Sequence, residues 1–422
     1  MSTNSLPAWL ARLETLSPHE IELGLERVLE ILARLELPRP GRIVHVAGTN
    51  GKGSCAAMLE GLLRQTGARV GCYTSPHVLR YNERIRIDGQ EAGDAEIVAA
   101  FEAVEAARED VPLTYFEFGT LAALAVFARR GADFLVLEIG MGGRLDAVNA
   151  VEPDGGIITN VGLDHREWLG DDVETIAREK AGIMRAGKPI VFGARRPPAS
   201  VLAEAARLGA DLRLAGRDFD FEEEPGAPGR WRWRGRESRL EGLPIPSLAG
   251  RFQLQNAAAV LALLEALDVR AALAPGPVAA ALVKLALPGR LQWADERRRW
   301  LLDVAHNPDA ARVLADSLDE LLNGRALTAV IGVLADKDVE GIVRPLAGKV
   351  GRWVAVTPDS PRALPAASLA QAVANLLDAP CLVMERVEDA LAMLDEEEDE
   401  GVVLVTGSFY TVGPALRRLR GR

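Results

Sequence analysis

The chain has 422 residues, 48% hydrophobic and 26% charged, the balance of a folded protein long enough for two hydrophobic cores. Its net charge of −11 excludes a broad basic surface for nucleic acid, so an anionic substrate has to be met by local basic groups and backbone N–H donors. No apolar run approaches the roughly 18 residues of a membrane span.

Met1 to Leu16 mixes Pro7, Arg12 and Glu14 into its apolar residues and does not read as a signal peptide. From residue 40 onward, short apolar runs alternate with helical stretches, the pattern of an α/β protein with a mostly parallel sheet. Strands are expected at 43–46, 134–139, 156–159 and 190–192, and helices at 55–65, 95–107, 119–129 and 173–184. The pattern restarts after residue 298, with strands near 300–303, 329–333, 352–356 and 402–406. The turn-forming Pro288-Gly289 between the halves divides the chain into domains 1–287 and 288–422. Residues 218–239 depart from this rhythm: 218–222 and 230–234 alternate polar and apolar around a Pro/Gly-rich loop. They predict a hairpin that buries its aromatics on one face and opposes acids to arginines on the other. The acidic run 395–400 is expected to be a solvated loop. Cys55, Cys72 and Cys381 are scattered, without metal-ligand spacing, as reduced thiols of a cytoplasmic protein would be.

The sharpest chemical signal is 43–54, a strand, then Gly48-Thr49-Asn50-Gly51-Lys52-Gly53-Ser54, then a helix. Such a turn converges backbone N–H groups on an anion, Lys52 can reach β- and γ-phosphates, and the Ser54 hydroxyl can coordinate magnesium. The general G-x-x-x-x-G-K-[ST] pattern is not met, since its first glycine would fall at Val46 and Gly53 separates Lys52 from Ser54. Magnesium takes oxygen ligands. Glu138, ending an apolar strand ahead of the glycine-rich 140–143, and Ser75, after another short strand, offer them.

These residues carry a resemblance. The loop 48–54 resembles the phosphate loop of the Mur ligase superfamily, and its Gly-Lys-Gly-Ser ending resembles the folylpolyglutamate synthase branch. Leu163-Asp164-His165, Glu179-Lys180-Ala181-Gly182-Ile183 and Asp303-Val304-Ala305-His306-Asn307-Pro308 are similar to further motifs of that superfamily. The resemblance implies a Mur-ligase-like P-loop ATPase domain with a mostly parallel sheet, plus a smaller Rossmann-like α/β C-terminal domain contributing to the ATP and glutamate sites. It implies ATP and two magnesium ions, with potassium as a further candidate. Glu138 would bridge the two metals and His165 and Lys180 would hold the second. A protonated lysine cannot be a ligand, and the family lysine is carbamylated, which makes Lys180 a candidate for that modification. Arg290 matches an arginine on the ATP phosphates, Asn256 a residue on adenine, and Asp303 and His306 residues meeting nucleotide and incoming amino acid.

The residues matching Arg84, His306 and Ser408 bind glutamate, and a guanidinium suits a carboxylate. Thr114, Phe116, Arg144 and Asp146 fall in segments similar to the family's pterin site; Phe116 could stack on a pteridine and Asp146 accept its N–H groups. The wording of 113–120, 303–308, 332–338 and 407–413 is most similar to bacterial bifunctional members, which glutamylate both dihydropteroate and reduced folates. The resemblance therefore implies glutamate ligation to dihydropteroate and tetrahydrofolates through an acyl phosphate, by a cytoplasmic monomer with no nucleic-acid or membrane partner. His306 or Asp303 would assist loss of the amine proton. The alternatives are folylpolyglutamate synthase activity alone, a Mur-type ligase for another carboxylate, or an NTPase that couples hydrolysis to a partner. Only 47 residues precede Gly48, too few for the uridine-nucleotide domain of cell-wall Mur ligases.

Overall fold

The computed structural model describes residues 5–16, 22–397 and 400–421, and it divides into two compact units. The first comprises Met1–His77, Tyr81–Ser247 and Leu254–Leu285, and the second Val78–Arg80, Leu248–Gln253 and Ala286–Arg422.

The apolar strands of the first unit form an eight-stranded sheet: β1 (Arg42–Ala47), β2 (Val70–Tyr73), β3 (Ile85–Ile87), β4 (Gln90–Glu91), β5 (Phe134–Glu138), β6 (Gly155–Ile158), β7 (Pro189–Phe192) and β8 (Asp211–Leu214). Their order is β4-β3-β2-β5-β1-β6-β7-β8. The six strands from β2 to β8 in this order run parallel, and β3 and β4 add an antiparallel edge. The near-continuous apolar runs of β1, β5, β6 and β7 follow from burial on both faces. The chain leaves β1 toward β2 and leaves β6 in the opposite direction toward β7. That reversal opens a crevice at the carboxyl ends of β1 and β6, the place where open α/β sheets bind ligands. The helix Leu6–Leu16 buries Leu6, Trp9 and Leu13 in this unit's core, with the Trp9 ring 5.7 Å from that of Phe101 and 6.1 Å from that of Phe118.

The alternating segments form an antiparallel three-stranded sheet of β9 (Asp220–Glu223), β10 (Arg230–Arg234) and β11 (Arg239–Pro244). Trp231 and Trp233 are buried, their indole N–H groups donating to Pro244 O at 2.9 Å and Ala258 O at 3.1 Å, while Arg232 pairs with Glu222 on the solvent face. The expected hairpin is therefore present, with a third strand added.

The second unit holds β12 (Gln292–Trp293), β13 (Trp300–Leu302), β14 (Leu327–Ile331), β15 (Arg352–Val356), β16 (Cys381–Met384) and β17 (Val402–Thr406), in the order β12-β13-β17-β14-β15-β16. All neighbours are parallel except the β12–β13 pair. Val78 and Leu79 pack on the Val412–Leu416 side of its core.

Two expectations change. Asp395 and Glu396 do not lie in a loop: they finish the helix Val387–Glu396, whose buried Leu391 and Leu394 carry it through them, and Glu397 pairs with Arg352 at 2.7 Å. Residues 398–399 of that acidic run lie outside the described residues. The helix expected from residue 55 starts at Lys52, so Lys52, Gly53 and Ser54 form its first turn.

Candidate active site

β1 runs into Gly48–Gly51, and the helix Lys52–Arg64 follows at once. First-turn N–H groups have no acceptor within their own helix, so this junction is suited to an anion. Gly48 sits at φ 145, and a Cβ there would lie 1.8 Å from Thr159 Oγ1, so only glycine fits. The segment after β6 grips the loop. Thr159 Oγ1 donates to Asn50 O at 2.6 Å, Asn160 receives Asn50 N at 3.0 Å and donates to Asn50 O at 3.0 Å, and Gly162 N donates to Thr49 Oγ1 at 2.9 Å. Asn256, on the helix Phe252–Ala266, places Oδ1 2.9 Å from the point a Cβ on Gly51 would occupy.

Two amines converge on this loop. Lys52 Nζ donates to Gly48 O at 3.2 Å and Thr49 O at 3.3 Å, and the buried Lys180 Nζ reaches Gly48 O at 3.1 Å. Burial, together with the Lys52 charge, lowers the Lys180 pKa to about 7; Asp164 and Asp146 oppose the shift. A neutral Lys180 is therefore abundant near pH 7. Glu179 does not pair with Lys180, because it binds the half-exposed Arg144 at 2.9 Å. Glu138 ends β5, is 4% exposed, and takes Ser75 N at 3.2 Å on Oε2, an atom 3.8 Å from a Cβ built on Gly53. The loop's first turn, Glu138 and the Ser75 segment thus lie together. Among the described residues no three His, Cys, Asp or Glu side chains gather as a metal cluster. A magnesium ion shared with phosphates and waters needs only hydroxyls and one carboxylate from the protein, which this set provides. His165 stands at φ 51 ahead of the helix Arg166–Leu169, its N–H donating to Asp164 Oδ1 at 2.9 Å.

Thr114 caps the helix Tyr115–Arg130 in a reciprocal box with Glu117, which Arg27 holds at 2.8 Å. The Phe116 ring, one residue into that helix, lies 2.5 Å from a Cβ built on Gly140 and 6.0 Å from the Tyr73 ring. Asp146 accepts Met141 N at 2.9 Å and Val148 N at 3.0 Å. Its burial outweighs those bonds and raises its pKa to about 7. Arg84 donates from Nε to His77 Nδ1 at 2.9 Å, and burial, then the Arg84 charge, drops His77 to about 3.

The second unit gathers Arg290, Asp303, His306 and Ser408. Asp303 accepts Leu291 N at 3.0 Å and Ala305 N at 2.8 Å, fixing the segments that carry Arg290 and His306, and burial raises its pKa. His306 Nδ1 lies 2.8 Å from Val304 O; a carbonyl can only accept, so Nδ1 carries the proton and Nε2 is the basic nitrogen. Phe409 stands between two of these groups, its ring centre 5.0 Å from Arg290 Cζ and 6.0 Å from the His306 ring. Ser408 caps the helix Phe409–Arg420 by accepting Tyr410 N at 3.1 Å.

Residues 46–207 match the family model of the Mur ligase middle domain, and residues 289–409 match that of the Mur ligase glutamate ligase domain. The chain belongs to the Mur ligase family. Within it, the chain is 40% identical to a dihydrofolate synthase/folylpolyglutamate synthase of Escherichia coli strain K12 over 424 residues, 100% of this chain and 97% of the relative. The Escherichia coli FolC structure in complex with DHPP and ADP superposes with a TM-score of 0.90 at 38% identity, covering 99% of this chain and 98% of that one. A bifunctional folylpolyglutamate synthase/dihydrofolate synthase with Mn, AMPPNP and L-glutamate bound superposes at 0.88 with 41% identity over 99% and 98% of the two chains. This Mur ligase is thus a member of the dihydrofolate synthase/folylpolyglutamate synthase group.

Several residues of the ligase escaped the sequence reading. Asn160 was detectable as a polar residue just beyond an apolar strand. Phe409, beside Ser408, is an apolar residue with no polar group to mark it. The buried ion pair of Glu60 with Arg86, at 2.9 Å, joins two elements with no shared motif and left no signal.

Proposed function

We propose that this Mur ligase couples ATP cleavage to the joining of L-glutamate, first to dihydropteroate and then to the γ-carboxylate of reduced folates. The observation that most supports the reading is the convergence of Lys52 and Lys180 on the Gly48 carbonyl, close to Glu138, in a chain similar along its whole length to dihydrofolate synthase/folylpolyglutamate synthases. In this reading residues 1–287 bind ATP and the pterin, and 288–422 contribute to the ATP and glutamate sites. Gly48 to Ser54 cradle the phosphates, Lys52 and Arg290 neutralise them, and Asn256 meets adenine. An oxygen of the acceptor carboxylate attacks the γ-phosphorus, the bond to the β-phosphate oxygen breaks, and ADP leaves an acyl phosphate. Positioning and charge neutralisation carry this step. Ser54, Ser75 and Glu138 would hold a magnesium ion, and His165 and a carbamylated Lys180 would help hold a second; the ions would add positive charge at the phosphates. Potassium is a third cation in the proposal.

The glutamate amine then loses a proton, attacks the acyl carbon, and phosphate departs. An ammonium is no nucleophile, and His306, whose Nε2 is basic, or Asp303 assists the proton's loss. Arg84, His306 and Ser408 hold glutamate; Thr114, Phe116, Arg144 and Asp146 line the pterin end. Carbamylation converts a neutral amine and carbon dioxide to a carbamate with release of one proton, and the depressed Lys180 pKa supplies that amine near neutrality. The ligase works as a cytoplasmic monomer in this proposal, and no helix among the described residues is long and apolar enough to cross a membrane. Mass spectrometry of products from dihydropteroate and from tetrahydrofolate tests the proposal: both should gain one glutamyl residue. A gain on tetrahydrofolate alone would reduce the function to folylpolyglutamate synthase.

A further inference from the structure

β2 and β3 run antiparallel, with Tyr73 opposite Ile85 and Cys72 opposite Arg86, and the chain between them is a loop from Thr74 to Arg84. Near its two ends stand Ser75, proposed for magnesium, and Arg84, proposed for glutamate. Polar contacts close the mouth of this loop. Thr74 N donates to Arg84 O at 2.9 Å, and Thr74 Oγ1 donates to Glu83 O at 3.4 Å. Arg86 Nη1 donates to Thr74 Oγ1 at 3.2 Å and to Glu83 O at 3.0 Å. A hydroxyl both donates and accepts, so the guanidinium, the Thr74 hydroxyl and the Glu83 carbonyl form a ring of three contacts. The guanidinium is held from its other side as well. Its Nε and Nη2 meet Glu60 Oε2 at 3.0 and 2.9 Å, Nη2 lies 3.2 Å from Cys72 Sγ, and Glu60 Oε1 takes Gly89 N at 3.0 Å. Glu60 belongs to the helix Lys52–Arg64, whose first turn completes the phosphate loop.

We infer that Arg86 is a positioning residue for magnesium and glutamate: it clasps the mouth of the Thr74–Arg84 loop and ties it to the phosphate-loop helix, so that Ser75 and Arg84 keep their places relative to that helix. The side chains of Arg86 and Glu60 are only 15% and 6% exposed. Taking two charges out of water costs about what their attraction returns, so a well-packed apolar pair would serve the fold as well. An apolar pair could not aim N–H donors at Thr74 and Glu83. The planar fork of arginine can, because it grips a carboxylate along one edge and still presents donors along another. The inference rests on the proposed roles of Ser75 and Arg84.

The test compares Thr74→Val, Thr74→Ser and Arg86→Lys with Ser75→Ala and Arg84→Ala in the full chain. It measures the KM for glutamate and for the pterin acceptor, the thermal midpoint, and manganese(II) binding in the presence of ADP, followed by electron paramagnetic resonance without turnover. Thr74→Val keeps the shape of the side chain but removes the hydroxyl. It should raise the glutamate KM about tenfold, the value of one hydrogen bond to a charged group, and weaken manganese binding by a similar factor. The KM of the pterin acceptor should stay at the parent value and the thermal midpoint within about 3 °C of it. Thr74→Ser should restore both losses. Arg86→Lys keeps a cation beside Glu60 without the fork, so it should raise the glutamate KM at least as much, with a lower midpoint. The positioning role is overturned if Thr74→Val has the parent glutamate KM and manganese affinity, if serine fails to rescue, or if the pterin KM rises in step as the midpoint falls. Ser75→Ala and Arg84→Ala separate the two layers. Parent manganese binding in the first together with a parent glutamate KM in the second removes the reading beneath the inference, whereas losses in both beside a silent Thr74→Val remove the role of Arg86 alone.

Discussion

The glycine-rich loop at 48–54 and the surroundings of Arg84, each given an anion to hold in the proposed function, are built from opposite materials. The loop uses backbone: Gly48 to Ser54 are consecutive, their geometry is set by one strand and one helix start, and the side chains of Thr159 and Asn160 serve mainly to hold main-chain atoms. The Arg84 pocket uses side chains from several segments, with His77 on the loop after β2, Tyr81 on a short turn and Tyr115 opening another helix. A backbone cradle tolerates changes in its neighbours because its donors are fixed by the chain itself. A side-chain pocket depends on each neighbour's shape and charge. The predictions that follow probe this difference.

The largest effect is expected at Lys52. Lys52→Met should lower glutamate-dependent ADP release about a thousandfold, the scale for removing a preorganised charge from a transition state, with the fold intact. A decrease below tenfold would contradict the role given to Lys52. The next probes what joins the two regions. Glu60 lies on the helix following the loop, and Arg86 also donates to Thr74 Oγ1 and Glu83 O beside Arg84. Glu60→Gln leaves Arg86 charged and buried, and should cost about 3 kcal/mol in denaturant unfolding while raising the glutamate KM. An unchanged midpoint would refute it.

Lys180 gives a pH signature. Its folded pKa of about 7 lies below the ordinary 10.5, so between those values the unfolded chain binds a proton that the folded chain does not. Unfolding free energy should therefore rise with pH in that window, by up to about 1.4 kcal/mol per unit, and Lys180→Met should flatten the rise. With carbon-13 bicarbonate, the parent should show a carbamate resonance that the variant lacks. Gly140→Ala pushes a methyl group into the Phe116 ring and should cost about 1–2 kcal/mol, raising the KM of the pterin acceptor more than that of ATP. The smallest effect belongs to a surface pair away from both regions. Arg232 and Glu222 are 44% and 61% exposed, and Arg232→Ala should shift stability by no more than about 0.5 kcal/mol.

The same contrast explains what could be read from the chain alone. The sheet strands and the glycine-rich turn at 48–51 were legible because each is local, an apolar run or a cluster of glycines, whereas the Asp303–Pro308 segment stood out by its resemblance to a family motif. The hairpin with Trp231 and Trp233 was legible because a period of two survives in sequence. His77 was visible only as part of a motif, since its partner is chosen by a turn that brings Arg84 back over it. Glu60 and Arg86 could not be paired, because neither spacing nor composition encodes which buried acid meets which buried base. The start of the loop's helix was placed three residues late, since Lys52, Gly53 and Ser54 read as turn and yet form its first turn after Gly51. For the acidic run 395–400, the local charge pattern was outweighed by the buried Leu391 and Leu394, which carry the helix through Asp395 and Glu396.

The most direct measurement is ADP release by the purified chain with magnesium and ATP, with and without glutamate, offered dihydropteroate and tetrahydrofolate in turn. The account predicts release that requires glutamate and either acceptor. Release that ignores glutamate, or silence with both acceptors while ATP still binds, would contradict it.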